Sequence, residues 1–191
     1  MRTLATFPYV PIVTVFNEAS NGGEKDMGFR NLEVISAKVS AIVHATEDVD
    51  RVLRALSRVF PDGSLPSGAE TRRFHGHFGN EIRMVDVSTR GAPARSFLEH
   101  LWKRLPSYDR ASVIHSLDKH LDSSGGLHLR LDKEEVVRGI ITLKDQDPIK
   151  IHLSFRTRIK SNLDPSEEIG QLLESLENSR EDSIELSEMA G

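Results

Sequence analysis

The chain contains no cysteine among its 191 residues. Disulfide bonds, thiolate metal sites and a cysteine nucleophile are therefore excluded, and this composition fits an intracellular protein. An apolar stretch near the N-terminus, Phe7 to Phe16, is interrupted by Pro8 and Pro11. It is too short to span a bilayer and lacks the basic flank and the cleavage site of a signal peptide. We therefore predict a cytoplasmic protein without a membrane partner.

Several motifs of common enzymes are also missing from the sequence. It has no Walker-type phosphate loop, no Gly-x-Ser-x-Gly elbow and no His-Glu-x-x-His pair. These motifs supply a phosphate cradle, a serine nucleophile and a zinc site, respectively. Without them, and without cysteine, the sequence predicts no cofactor and no catalytic residue.

The formal net charge of −4 is distributed unevenly along the chain. Residues 164–191 contain nine acidic residues and one basic residue, and residues 1–32 contain three of each, so residues 33–163 carry a charge of +4. A basic body with an acidic tail favours a polyanionic partner for the body. Such a tail can dock a partner or compete with nucleic acid for the basic surface.

Sequence periodicity divides the chain into three segments. Residues 1–32 have no sustained pattern and include Asn21-Gly-Gly-Glu24, which predicts a loose N-terminal extension. Residues 33–160 alternate strand and helix patterns, and with 38% hydrophobic residues overall the chain can bury one substantial core. Residues 161–191 form an acidic C-terminal tail, in which Pro165 to about Arg180 has a helical pattern.

The central segment predicts an α+β fold: a mostly antiparallel sheet with helices packed on one face. Val34 to Ala45 alternates as a half-buried strand, and Thr46 is a candidate cap for the helix that follows it. Two hairpins are predicted further along. The first pairs Thr71–Phe78 with Glu81–Thr89, and the second pairs Ile140–Leu143 with Ile149–Arg158.

The strand faces that point away from the predicted core carry cations and histidines and no carboxylate. They hold Lys38 and His44; Arg73, His75 and His77; His128 and Arg130; and Lys150, His152, Arg156 and Arg158. Together they would form a basic platform that neutralises phosphates, which points to RNA. The alternative is an ordinary solvated sheet face, since exposed strand positions are often basic. No exposed aromatic row accompanies the platform, so contacts to phosphate, sugar hydroxyl and helical shape are expected rather than base stacking.

Lys133 and Asn80 are also assigned to RNA contact. Arg130 and Lys133 flank a junction between a strand and a helix, where a phosphate would also meet free backbone N–H groups. Asn80, in His75-Gly-His-Phe-Gly-Asn80, is either a turn residue or a base reader, and glycine and asparagine at such positions most often make a turn.

Three motifs, in this order, resemble a family of archaeal RNA-binding proteins that are described as predicted exosome subunits. They are His44-Ala-Thr-Glu-Asp48, Gly76–Ile82, and Leu127–Lys133 leading to Asp147–Lys150. The resemblance covers about 33–158. It implies RNA binding without an established reaction, partners among exosome-related or ribosome-related proteins, and a fold similar to the large-subunit ribosomal protein that contacts 5S RNA.

Two other classes of function remain open from the residues alone. His44, Glu47, Asp48, His75 and His77 are residue types that bind metals, so a metal-dependent ribonuclease, or one using His75 and His77 as acid and base, is an alternative. Against a metal, His75 and His77 fix no third ligand, and the two acids have a sufficient role at a helix N-terminus. The second alternative is a protein-interaction adaptor that docks through the acidic tail.

Overall fold

A computed structural model describes residues 32–76, 79–157 and 164–189. In these ranges the chain forms a five-stranded antiparallel sheet in the order β2-β3-β1-β5-β4. The strands are β1 (Leu32–Val43), β2 (Glu70–His75), β3 (Glu81–Arg90), β4 (Leu127–Asp132) and β5 (Pro148–Thr157). The central strand is therefore β1, which pairs with β3 on one side and β5 on the other.

Helices fill the connections between these strands. They are α1 (Val49–Ser57), α2 (Ala92–Arg104), α3 (Ser107–His115), α4 (Lys133–Arg138) and α5 (Pro165–Met189), with a 3-10 turn at Leu117–His120. The N-cap of α1 is Asp48 rather than the expected Thr46, because the Asp48 carboxylate accepts the N–H groups of Asp50 at 2.9 Å and Arg51 at 3.3 Å. These two bonds satisfy backbone N–H groups that have no partner within the first helical turn.

The core lies between one face of the sheet and the helices. In β1, Ala37, Val39, Ala41 and Val43 are each at most 2% exposed, as the period-two alternation predicts. They pack in one cluster with the apolar stripe of α2, which includes Trp102. The α+β prediction and the placement of helices on one face are thus confirmed. The likeness to the 5S-contacting ribosomal protein stays a prediction. No helix in the described ranges is long and apolar enough to cross a membrane.

The first half of α5 is part of this core. Ile169, Leu172 and Leu173 are at most 1% exposed, and Glu177 forms an ion pair with the buried guanidinium of Arg110 on α3. The hydrogen bond from Arg110 lowers the pKa of the Glu177 carboxyl. Burial of three large aliphatic side chains stabilises the fold by several kcal/mol, at about 1.5–3 kcal/mol each. The acidic helix is therefore anchored to the domain by its first three turns.

The predicted strand at Ile140–Leu143 is wrong. This segment follows the end of α4 at Gly139, whose φ of 95° turns the chain sharply, and it is held by a side chain instead of a ladder. The carboxylate of Asp109 accepts the Thr142 hydroxyl at 2.8 Å and the Leu143 N–H at 3.0 Å. The N–H of Ile140 donates to the carbonyl oxygen of Glu135 in α4, and the carbonyl oxygen of Thr142 accepts the N–H of Asp132 in β4, with one isolated bridge between Leu131 and Leu143. Consequently β5 pairs with β1 and β4 and not with this segment.

We predict that Leu172→Ala lowers the free energy of unfolding by about 3 kcal/mol, because it leaves a cavity where α5 meets the core. Glu174→Ala on the exposed side of the same helix should change it by less than about 0.5 kcal/mol. Urea denaturation followed by circular dichroism measures both values. Equal effects of the two substitutions would mean that α5 does not pack on the domain in solution.

Candidate nucleic-acid interface

The face of the sheet opposite the helices is open to solvent, and we call it the open face. Residues directly opposite in an antiparallel ladder point to the same side, so the pairing register identifies its members. Lys38 lies opposite Ser88 and His152, which places all three together. The polar members are Glu33, Ser36, Lys38 and Ser40 of β1, Glu70 and Arg72 of β2, Asp86, Ser88 and Arg90 of β3, His128, Arg130 and Asp132 of β4, and Lys150, His152, Ser154 and Arg156 of β5.

Six of the predicted site residues share this face. They are Lys38, His128, Arg130, Lys150, His152 and Arg156. Their side chains remain accessible, with Lys38, Arg130 and Arg156 each more than half exposed. The predicted residues of β4 and the described ones of β5 therefore share one continuous surface with Lys38 of β1. His44 follows the end of β1 and is not part of this surface.

The prediction for β2 is wrong by one residue of register. Arg73 lies opposite Arg83 and His75 opposite Glu81, and Arg83 in turn lies opposite the core residue Val43, so Arg73 and His75 point to the helix side of the sheet. Arg72 occupies the open face instead. The error arises because β2 is an edge strand that is exposed on both faces. Phe74 was taken to point to the core, but neither face of β2 is covered.

Carboxylates occur on this face, contrary to expectation. Asp86 of β3 lies on it between Lys38, at 3.3 Å, and Arg72, and it also accepts the Ser40 hydroxyl at 2.7 Å. Burial of Asp86 raises the pKa of its carboxyl, but the hydrogen bonds from Ser40, Arg72 and Lys38 outweigh burial and lower it overall. Asp86 is 8% exposed. It therefore acts as a fixed negative charge that holds two cations in place.

Other cations of the open face are paired only at its rim. Arg130 meets Asp145 at 3.0 Å and Arg156 meets Glu33 at 3.0 Å, with both guanidinium groups exposed. Exposed pairs of this kind contribute about 0–1 kcal/mol, so a phosphate group can replace the carboxylate at small cost. Lys150 and Arg90, within the described ranges, form no ion pair. The open face thus carries cations that remain accessible to an anionic ligand.

Lys133 is buried and saturated, unlike the expected phosphate ligand. Its ammonium is 2% exposed and binds Glu47 at 2.9 Å, Asp147 at 2.6 Å and the carbonyl oxygen of Ile42 at 2.9 Å. We call this arrangement the Lys133 clasp. Burial raises the pKa of the Asp147 carboxyl, but the hydrogen bonds from Lys133 and His44 outweigh burial and lower this pKa overall. All three hydrogen-bond donors of the ammonium are used within the protein, so we do not include Lys133 in the interface.

The clasp brings together motifs that are distant in sequence. His44 donates its backbone N–H to Glu47 at 2.8 Å, and its ring Nε2 lies 3.1 Å from Asp147, 103 residues away. His44 and Glu47, which the sequence offered as metal ligands, thus belong to a cluster whose cation is the ammonium of Lys133. Of the other residues considered for a metal, Asp48 caps α1 and His75 lies on β2.

Asn80 shapes the turn between β2 and β3. Its carbonyl oxygen accepts the N–H of Gly76 at 2.8 Å, and a Cβ at Gly76 would lie 2.5 Å from the Asn80 side-chain oxygen. Gly79 has a φ of 77°, a conformation that side chains disfavour. This geometry favours the turn interpretation of Asn80. His77 and Arg158, the remaining predicted site residues, lie outside the described ranges.

The sequence interpretation missed Arg72, Asp86 and Arg90 on the open face. Asp86 stands between Val85 and Val87, which are buried, so the alternation of β3 already placed a carboxylate on the non-core side. Arg72 could not be assigned from its own strand. Only its pairing opposite Met84 determines its face.

The fold and this surface define an α+β protein whose antiparallel sheet exposes one polar, cation-bearing face. Residues 36–157 match the model of a protein family described as RNA binding, and the chain belongs to this family. The matched residues include β1 from Ser36 onward and the other four strands, so they contain nearly all of the open face.

The chain is also similar to several archaeal proteins. The chain is 28% identical over 130 residues to the RNA-binding protein PAB1135 of Pyrococcus abyssi, covering 66% of this chain and 84% of that protein. It is 29% identical over 141 residues to protein MJ0213 of Methanocaldococcus jannaschii, covering 72% and 94%. The crystal structure of protein AF2318 from Archaeglobus fulgidus matches with a TM-score of 0.60 at 25% identity, over 75% of this chain and 99% of that one. Protein SSO0741 from Sulfolobus solfataricus shares the fold, with a TM-score of 0.59 at 24% identity, over 76% and 98%.

We predict that Lys133→Met lowers the free energy of unfolding by about 1–2 kcal/mol, because the partly exposed carboxylates of Glu47 and Asp147 would be left without their cation. Lys150→Met, on the exposed face of β5, should change it by less than about 0.5 kcal/mol. Urea denaturation at neutral pH measures both values. A small effect of Lys133→Met would show that the clasp is not a stabilising contact.

Proposed function

We propose that the open face binds the sugar–phosphate backbone of structured RNA. The observation that carries this proposal is a continuous, helix-free sheet surface whose exposed cations come from all five strands. A phosphate contact needs an accessible cation, and its strength comes from counterion release rather than from a preformed pocket. The name of the Pyrococcus abyssi relative and the family description support RNA as the partner.

Contacts to backbone and helical shape fit this surface better than base stacking. Phe74 is 45% exposed and points to the open face, opposite Ile82, but the open face otherwise consists of charged, hydroxyl and histidine side chains and three aliphatic or thioether positions at one corner. Sheet proteins that bind single strands by stacking use several rings. A single ring allows one stacking contact at the edge of the site.

The proposed role is binding without cleavage. The two acids of the clasp neutralise Lys133, and Arg73 and His75 point away from the open face, so neither set forms an acid–base pair on the surface that we assign to RNA. The family resemblance further implies a part in RNA processing beside the exosome, or with ribosome-related proteins, in the cytoplasm. Affinity capture from an archaeal extract with and without ribonuclease treatment would test that association.

We predict that Lys150→Ala weakens RNA binding and reduces the slope of log affinity against log salt concentration by about one, because one phosphate contact is lost. Lys103→Ala is the matched control, since Lys103 is an exposed lysine of α2 on the helix side. Its affinity and slope should remain those of the unchanged protein. Fluorescence anisotropy with double-stranded RNA, single-stranded RNA and DNA at several salt concentrations measures both. Equal losses in the two variants would place the RNA elsewhere on the surface.

Product gels on the same mixtures distinguish a binding module from a ribonuclease. We expect intact RNA with and without Mg²⁺, Mn²⁺ or Zn²⁺, and the same result for His75→Gln. Metal-stimulated cleavage that the His75→Gln variant abolishes would support the nuclease alternative instead.

We predict that deleting residues 181–191 strengthens RNA binding at low salt. This segment carries four acidic residues and no basic one, and a tethered anionic segment competes with RNA for the same cations. The deletion retains Leu172, Leu173 and Glu177, so the core stays intact. Anisotropy at 50 and 300 mM salt measures the effect, which should disappear at the higher concentration as charges are screened. Unchanged affinity at low salt would favour the adaptor role of the tail.

A further inference from the structure

A cluster of two histidines and one carboxylate lies at the β4–β5 side of the open face. Oδ2 of Asp122 is 2.9 Å from Nε2 of His128 and 3.2 Å from Nε2 of His152. The two imidazole rings stack with their centroids 4.3 Å apart. All three ligand-type atoms lie within 4.8 Å of one another. Three groups that each carry a metal-binding lone pair therefore converge on one point.

The carboxylate of Asp122 is held in a fixed orientation. Its Oδ1 accepts the hydroxyl of Ser124 at 2.6 Å, the N–H of Ser124 at 2.8 Å and the N–H of Gly126 at 2.9 Å. These bonds, the Ser124 hydroxyl foremost, lower the pKa of the carboxyl well below its usual range. Because Oδ1 is satisfied by the loop, Oδ2 is left directed at the two imidazoles. Such outer hydrogen bonds orient the ligands of metal sites.

Backbone approaches this cluster at a position where only glycine fits. A Cβ at Gly126 would lie 2.4 Å from Nε2 of His152 and 2.7 Å from Oδ2 of Asp122. A side chain there would collide with both of these ligand-type atoms. Glycine at this position therefore lets the backbone of the loop lie close to the cluster.

The cluster differs from the Lys133 clasp in its cation. In the clasp, a lysine ammonium lies among His44, Glu47 and Asp147. Among the residues that the structure describes, Asp122 is paired with the two histidines and with no lysine or arginine. The cluster therefore holds no lysine or arginine in the position that the ammonium of Lys133 occupies in the clasp.

We propose that Asp122, His128 and His152 bind one divalent transition-metal ion of the Zn²⁺ type. Two zinc bonds of about 2.0–2.1 Å at a tetrahedral angle place their ligand atoms about 3.3–3.4 Å apart, close to the 2.9 and 3.2 Å found here. Two imidazoles and one carboxylate suit Zn²⁺, Co²⁺ or Ni²⁺ better than Mg²⁺ or Ca²⁺, which prefer oxygen ligands only. The ion would replace the hydrogen bonds that now join Oδ2 of Asp122 to the two Nε2 atoms.

A bound ion would keep open coordination positions. The side chains of His128, His152 and Asp122 are 49%, 35% and 31% exposed, so water or another oxygen ligand can complete the shell from the solvent side. Zinc sites with three protein ligands keep one position for an exchangeable ligand, whereas structural zinc sites have four protein ligands. The ion would also convert the cluster from one negative charge to one positive charge on the open face.

The test is metal titration of the full chain after treatment with a chelator. Calorimetry with Zn²⁺ should show one equivalent bound per chain, and Co²⁺ should give the visible absorption of a low-coordinate site. Asp122→Asn and His152→Ala should abolish both signals. Ser124→Ala, which removes only an outer hydrogen bond, should weaken Zn²⁺ binding by about 10- to 100-fold. His75→Ala, at an exposed histidine of β2, and His44→Ala, at the clasp, serve as controls that should bind as the unchanged protein does.

Two results would overturn the proposal: no binding of Zn²⁺ or Co²⁺ by the unchanged chain, or binding that survives in both Asp122→Asn and His152→Ala. Loss of the signal in His44→Ala with retention in His152→Ala would assign the metal to the clasp instead. Far-ultraviolet circular dichroism of each variant confirms that it is folded, and Asp122→Asn retains the shape of the carboxylate. Because no RNA is present, these outcomes are independent of the proposed function.

Discussion

The buried ammonium of Lys133 joins three parts of the chain that the candidate site depends on. It binds the carbonyl oxygen at the end of β1, the acid that precedes α1 and the acid that precedes β5. A lysine that is 2% exposed must have each N–H satisfied, because an unpaired buried charge costs several kcal/mol. The ends of β1 and β4 and the start of β5 are therefore held at one corner of the sheet. This corner fixes the alignment of the strands that form the open face.

The chemistry of the open face follows from one-sided packing. Helices bury the other side of β1, β5 and β4, so every second residue on those strands is left to the solvent. The acids among these residues differ in what they do. Asp86 is largely buried and orders Lys38 and Arg72, whereas Asp145 and Glu33 meet exposed arginines that can exchange them for another anion. A surface of this kind can be nearly neutral in total and still present oriented cations to a phosphate chain.

The sequence allowed the architecture to be predicted where one strand or helix carries its own signal. The alternation of Ala37 to Val43 and of Ile149 to Phe155 identifies both strands and both of their faces, because the core covers one side of each. Strand β2 has no such signal: the helices do not reach it, so Phe74 is exposed and the face of Arg72 depends on its partner strand. The segment at 140–143 was misassigned for a related reason, since Asp109 from another helix supplies its hydrogen bonds.

The site was predicted less completely because its pairs are distant in sequence. His44 and Asp147 are 103 residues apart, and Lys133 and Glu47 are 86 apart. No local sequence pattern shows that a lysine after a strand will form ion pairs with two distant carboxylates. Lys133 was therefore interpreted as an unpaired cation, and His44 as an unpaired histidine. Similarly, Asp122 lies in a loop that its own periodicity does not connect to His152 on β5. The turn at Gly79 and Asn80 was easier to predict, because its geometry is local, whereas an RNA contact of Asn80 stays a prediction.

The central position of β1 has a consequence for how the chain folds as it is synthesised. Its two neighbours, β3 and β5, both follow it in sequence, and the far end of β5 pairs Thr157 with Leu32. A ribosome-bound chain that has emerged only to α4 can pair β1 with β3, but it leaves the other edge of β1 unpaired and the apolar side of the sheet incomplete. Unpaired strand edges are sites of aggregation, and long-range pairing is slow. The unfinished sheet must therefore be protected until β5 and α5 have been made, because only then can the second edge of β1 pair and the core close.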